Sequence, residues 1–128
     1  MNRAVIGVGS NIAPKFNLPR ARERIGERHV IVAESPLVET TPVGCVDQPD
    51  FTNGALLVET PMDCEQLKDD LKAIEVILGR QPETNRNGPR TIDLDIVVWN
   101  GEIVDHDLYT REYLQTSVLA VLPNLNLR

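Results

Sequence analysis

Gly88-Pro89-Arg90-Thr91-Ile92-Asp93-Leu94-Asp95-Ile96-Val97-Val98-Trp99 sets two carboxylates inside an otherwise apolar run. A strand throws alternate side chains to opposite faces, so Asp93 and Asp95 share one face while Ile92, Leu94 and Ile96 cover the other. By strand rise the two acids stand roughly 6 to 7 Å apart at the backbone, and they repel each other unless a cation lies between them. Mg²⁺ suits that place, because it takes oxygen ligands and commonly binds one or two carboxylates together with substrate phosphates; Mn²⁺ accepts the same oxygens. Arg90, at the mouth of the strand, offers a bidentate phosphate contact. The plain alternative is that the acids are merely the wet face of a half-exposed strand. The preceding loop argues against it: Arg80, Arg86 and Arg90 concentrate positive charge there, in a chain of formal net charge -6. A local arginine cluster beside a metal site is how an acidic protein receives a polyanion, so the pattern points to phosphate chemistry.

The rest of the composition narrows the class. A chain of 128 residues with 41% hydrophobic and 25% charged residues reads as one soluble globular domain over residues 1–128. Its apolar stretches fall far short of the roughly 20 residues that span a bilayer. Met1-Asn2-Arg3 runs straight into a strand pattern without a signal-peptide core, which predicts a cytoplasmic protein with no membrane partner. Cys45 and Cys64 lack a second pair, so two reduced thiols are expected rather than a zinc site or a redox Cys-x-x-Cys. The acidic balance, with pI near 4.8 and 4% aromatic residues, argues against a nucleic-acid platform, which wants a basic face and stacking rings. Oligomeric state is left open.

Along the chain, Ala4 to Val8 reads as a buried strand left through the turn Gly9-Ser10-Asn11. A helix follows from Leu18 to Glu27, with Pro19 near its first turn. His29 to Glu34 and Leu37 to Thr40 form a second strand interrupted at Ser35-Pro36, and Phe51 to Thr60 forms a third after the loop Thr41 to Asp50. Asp63 caps a second helix with Gln66 at the capping-box position, Leu67, Leu71, Ile74 and Leu78 mark its buried side, and Gly79 stops it. The Asp strand follows, then the hairpin signal Asn100-Gly101 into Glu102 to Val104, and a last helix from Arg111 to Leu122 ended by Pro123. This order predicts an α+β sandwich of the ferredoxin-like kind, a mainly antiparallel sheet with packed helices, an added hairpin, and the first strand beside the Asp strand at its centre.

The segment Gly88 to Ile96 resembles the signature of the 6-hydroxymethyl-7,8-dihydropterin pyrophosphokinases of folate synthesis. Gly7-Val8-Gly9-Ser10-Asn11 resembles that family's opening Gly-Ser-Asn turn, Thr40 to Gly44 its pterin loop, and Asp47-Gln48-Pro49-Asp50-Phe51-Thr52-Asn53 the stretch after it. Glu75 and Gly79-Arg80 fall where the family has Glu and Gly-Arg. The resemblance implies transfer of pyrophosphate from ATP to the hydroxymethyl group of the dihydropterin, with AMP released and small molecules as the partners. It implies that Asp93 and Asp95 hold two Mg²⁺ ions, that Arg80 and Arg90 steady phosphates, that Glu75 and the Ile96 backbone serve the nucleotide, and that Thr40, Val43, Phe51 and Asn53 receive the pterin. Asn53 brings an amide that both donates and accepts, and Phe51 a stacking face. The plain alternatives are a strand irregularity at Asn53-Gly54, a core aromatic at Phe51 and a solvated helix position at Glu75.

Departures from the family concentrate after the Asp strand. Asn87 replaces the tryptophan usual before Gly-Pro-Arg, and Pro82 replaces an arginine. The family's distal Pro-His, Arg and aromatic find no match over residues 105–122; counting from Asp95 sets Tyr113 at the histidine and Val118 at the second stacking aromatic, and leaves His106 as a surface turn residue. Arg111 is the candidate that reaches the phosphates through a shortened loop. The chain ends at Arg128, which predicts a reduced C-terminal extension and a wetter site. The alternative function is a catalytically weakened homologue that binds nucleotide or pterin; a generic interaction domain with a solvated Asp pair is the third.

Overall fold

A computed structural model describes residues 1–41, 49–79 and 91–127. The strands are β1 (Asn2–Ser10), β2 (Val30–Glu34), β3 (Val38–Thr40), β4 (Phe51–Thr60), β5 (Asp93–Trp99) and β6 (Glu102–Ile103). The helices are α1 (Pro14–Arg28), α2 (Cys64–Ile77) and α3 (Glu112–Val121). All strand pairs are antiparallel, in the order β2-β4-β1-β5-β6, with β3 continuing the line of β2 along β4. Counting β2 and β3 as one interrupted strand and setting the hairpin strand β6 aside, this is the ferredoxin-like α+β arrangement, with β1 between β4 and β5.

Each face of the sheet has its own core. On one face Ala4, Ile6, Leu56, Val58 and Leu94 meet Leu18, Ala21 and Ile25 of α1 and Leu67, Leu71, Ile74 and Leu78 of α2. Burial of such side chains contributes about 1.5 to 3 kcal/mol each before the entropy of ordering is set against it. On the other face Val5, Ala55, Leu57, Val97 and Val98 lie under Leu114, Val118 and Val121 of α3. This helix covers one end of its face, and the other end is left open.

Several boundaries differ from the sequence reading, for local reasons. β1 begins at Asn2 and ends at Ser10 because it pairs along its whole length with β4. α1 starts at Pro14, not Leu18: Ala13 turns left-handed at φ 43, Pro14 fits the first helical position, and the buried Asn17 side chain donates to the Ile12 carbonyl. Pro19 therefore lies inside the helix. The capping box at Asp63 and Gln66 forms as read, with both bonds present, and Gly79 ends the helix at φ 97. Between β6 and α3 the chain makes an unforeseen 3-10 turn, His106–Tyr109, whose start is capped by the Asp105 side chain. Register between β1 and β5 shifts at Val5/Ile6, leaving Val97 as a bulge, so that Val97 and Val98 both face α3.

Candidate active site

The open end of the α3 face is a cleft of about 300 Å³. Its floor follows from the register. Gly9 pairs with Asp93 and Gly7 with Asp95 on one side, and Gly9 pairs with Asn53 on the other. Two glycines thus stand in the strand next to the two acids, and the cleft reaches down to the peptide backbone between Asn53 and the Asp pair. A Cβ at Gly9 would lie 2.7 Å from Asn53 Oδ1, so glycine is what allows the amide to sit there.

Asp93 and Asp95 line this cleft together, the first half-buried and the second exposed, while Leu94 turns into the opposite core. Thr40, Phe51 and Asn53 line it too. The Asn53 Nδ2 donates to Thr40 Oγ1 at 2.7 Å, which fixes the amide across the β3–β4 pair. These residues were read as one site and are brought together. Phe51 is part of the cleft rather than a core aromatic, and Asn53 continues a regular ladder rather than an irregularity.

Two sequence candidates lie elsewhere. Glu75 is 5% exposed on α2, on the far side of the sheet, where its Oε2 accepts from the Leu94 N–H at 2.7 Å. It is neither solvated nor part of the cleft lining; it holds the backbone between the two acids. Ile96 packs its side chain against the α1/α2 core. Val43, Arg80, Arg86 and Arg90 lie outside the described residues.

The segment after β6 brings in Arg111, as expected, and with it residues whose roles counting from Asp95 assigned otherwise. Val118 is fully buried in the core between α3 and the sheet and is not among the described residues lining the cleft, whereas Tyr113, Arg111, Asp105 and Asp107 all line it. Arg111-Glu112-Tyr113 is itself an arginine followed by an aromatic. His106 is exposed on the 3-10 turn, as expected. Arg111 is the only cationic side chain among the described lining residues, set against four carboxylates. Burial pushes the Tyr113 phenol above its ordinary range; Arg111 opposes this, and Asp107, Asp93 and Asp105 add to it. Cys64 is a free thiol at the start of α2, raised by burial and its acidic neighbours, and unsuited to nucleophilic work.

The donor set fits Mg²⁺. Two carboxylates from one strand face share an open, oxygen-lined cleft, and no third His, Cys, Asp or Glu joins them in a ligating group among the described residues. The remaining ligands would come from water and phosphate, which is how that ion is usually held.

Sheet and helix layers together define a ferredoxin-like α+β protein with an open, acid-lined cleft on one sheet face. The chain belongs to the 7,8-dihydro-6-hydroxymethylpterin-pyrophosphokinase family, which it matches over residues 5–123. It is 38% identical over 109 residues to the 2-amino-4-hydroxy-6-hydroxymethyldihydropteridine pyrophosphokinase of Pseudomonas aeruginosa, covering 82% of this chain and 66% of that one. The Bacillus subtilis protein of the same name is 35% identical over 131 residues, covering 97% of this chain and 78% of that one. A folic acid synthesis protein of Dictyostelium discoideum is 32% identical over 132 residues, covering 96% of this chain and 20% of that one. The chain thus spans just under two thirds of the Pseudomonas protein and a fifth of the Dictyostelium one.

Proposed function

We propose that this chain, acting as one domain in the cytoplasm, transfers pyrophosphate from ATP to the hydroxymethyl group of 6-hydroxymethyl-7,8-dihydropterin and releases AMP. The observation that carries this reading is the convergence on one cleft of the Asp pair with Phe51, Asn53 and Tyr113, three groups suited to a flat polar heterocycle. Phe51 and Tyr113 offer ring faces from β4 and α3, and the Asn53 amide, held by Thr40, reads a donor–acceptor edge. In this proposal the pterin lies between β4 and α3, with its hydroxymethyl group toward Asp93 and Asp95.

Asp93 and Asp95 hold two Mg²⁺ ions in this proposal, with Mn²⁺ an acceptable substitute. When bound, such ions neutralise phosphate charge and steady the attacking and leaving oxygens. Arg111, with Arg80 and Arg90, binds the phosphate tail. Glu75 and Ile96 act through the strand that carries the acids. Most of the rate then comes from positioning, since phosphoryl transfer asks little covalent chemistry of the protein.

The test is AMP formation from Mg-ATP and the dihydropterin. Wild type produces AMP, and Asp93→Asn or Asp95→Asn lowers the rate by about a hundredfold or more, since even outer-shell changes at metal sites cost 10- to 100-fold. Ligand-dependent thermal stabilisation without AMP would make the chain a binding protein instead.

A further inference from the structure

Ser117, on α3, lines the cleft along with Gly7, Val97 and Leu114, and is 3% exposed. Its Oγ is the one buried side-chain polar atom without a hydrogen-bond partner among the described residues. A helical hydroxyl can satisfy itself on the carbonyl one turn back, as the adjacent Thr116 does with the Glu112 carbonyl at 3.1 Å. Ser117 does not, although the same helix offers it the same bond. A buried hydroxyl left unpaired is costly, and native structures retain one where something else is served. Its position supplies the use: it lines the cleft together with Leu114 and Val97, whose side chains carry no hydrogen-bonding group.

Resting on the function proposed above, we infer that Ser117 is a specificity-determining residue. A step between staggered χ1 rotamers brings its hydroxyl to a ring nitrogen or carbonyl of the bound heterocycle, so that the bicyclic ring is read from α3 as well as from Asn53 on β4. A substrate lacking that polar atom leaves the hydroxyl buried and unpaired, which is how such sites reject analogues.

The variants are Ser117→Ala and the near-isosteric Ser117→Cys, a poorer hydrogen-bonding group. Both raise KM for the dihydropterin about five- to tenfold, leave KM for ATP and kcat within about twofold, and leave the melting temperature of the free protein unchanged or higher, because the free protein loses no bond. Unchanged KM for the dihydropterin in both variants, in an active wild type, overturns this inference alone. So does a fall in the free protein's melting temperature with equal effects on both substrates, which marks a structural hydroxyl. A wild type that neither binds nor turns over the dihydropterin overturns both this inference and the function on which it rests.

Discussion

Tyr113 keeps its proton. Burial and three neighbouring aspartates hold its pKa above the ordinary 10.0, so the phenol is neutral around pH 7. Tyr113→Phe is therefore expected to leave the pH profile of AMP formation unchanged between about pH 6 and 9, with activity within a few-fold. Tyr113→Ala removes a ring face and raises KM for the dihydropterin by roughly tenfold. The sign for stability follows the same shift: above the unfolded tyrosine pKa the unfolded chain releases this proton and the folded chain resists, so this contribution to stability is lost as pH rises through that window. Unfolding of wild type and Tyr113→Phe near pH 10 to 11 checks it, the phenylalanine chain losing less. At this scale the site was half legible. Asp93 and Asp95 were visible because a period of two is local; Arg111 was named through the shortened loop, whereas Tyr113 was set at the histidine and Val118 at the aromatic, because those positions depend on how many residues connect β6 to α3.

At the scale of elements, the edge of β5 is the weak place. β6 pairs only with Val98 and Trp99, and Glu75 closes the edge nearer the acids through the Leu94 N–H. Glu75→Ala leaves that buried donor unpaired and is expected to cost about 1 to 3 kcal/mol, read by urea unfolding, together with a loss of kcat from an acid-bearing strand that is no longer held. Glu75→Gln retains an acceptor and is expected to fall between Ala and wild type in both measurements. The elements the sequence announced best were those with self-contained signals: β4 from Phe51 to Thr60, and α2 with its cap, buried stripe and terminal glycine. The start of α1 was hidden, since it depends on the Asn17 side chain reaching Ile12. The bulge at Val97 was hidden as well, because an apolar run carries no mark of which face each residue takes.

Across the whole molecule, the end of α1 is joined to β4 and α2 far from the cleft. His29, whose side chain is fully buried, donates from Nε2 to Asp70 at 2.7 Å and lies 2.8 Å from Thr60 Oγ1 through Nδ1. Arg28 adds a 3.2 Å contact to Asp70. Removing His29 leaves a void and takes one hydrogen-bond partner each from Asp70 and Thr60, so His29→Ala is expected to lower stability by about 2 to 4 kcal/mol, measured by thermal unfolding, while KM for either substrate stays near wild type below the melting range. The fold class itself was legible because the order of elements permits few sheets; that α3 covers only part of its face was not, since helix placement is decided by which side chains the two cores have left to bury. The glycines of β1 carry a last consequence. Because the trench beside the acids is floored by main chain, its depth is set by two missing methyl groups, and a single bulky replacement there would plug the molecule while its full complement of charges remained in place.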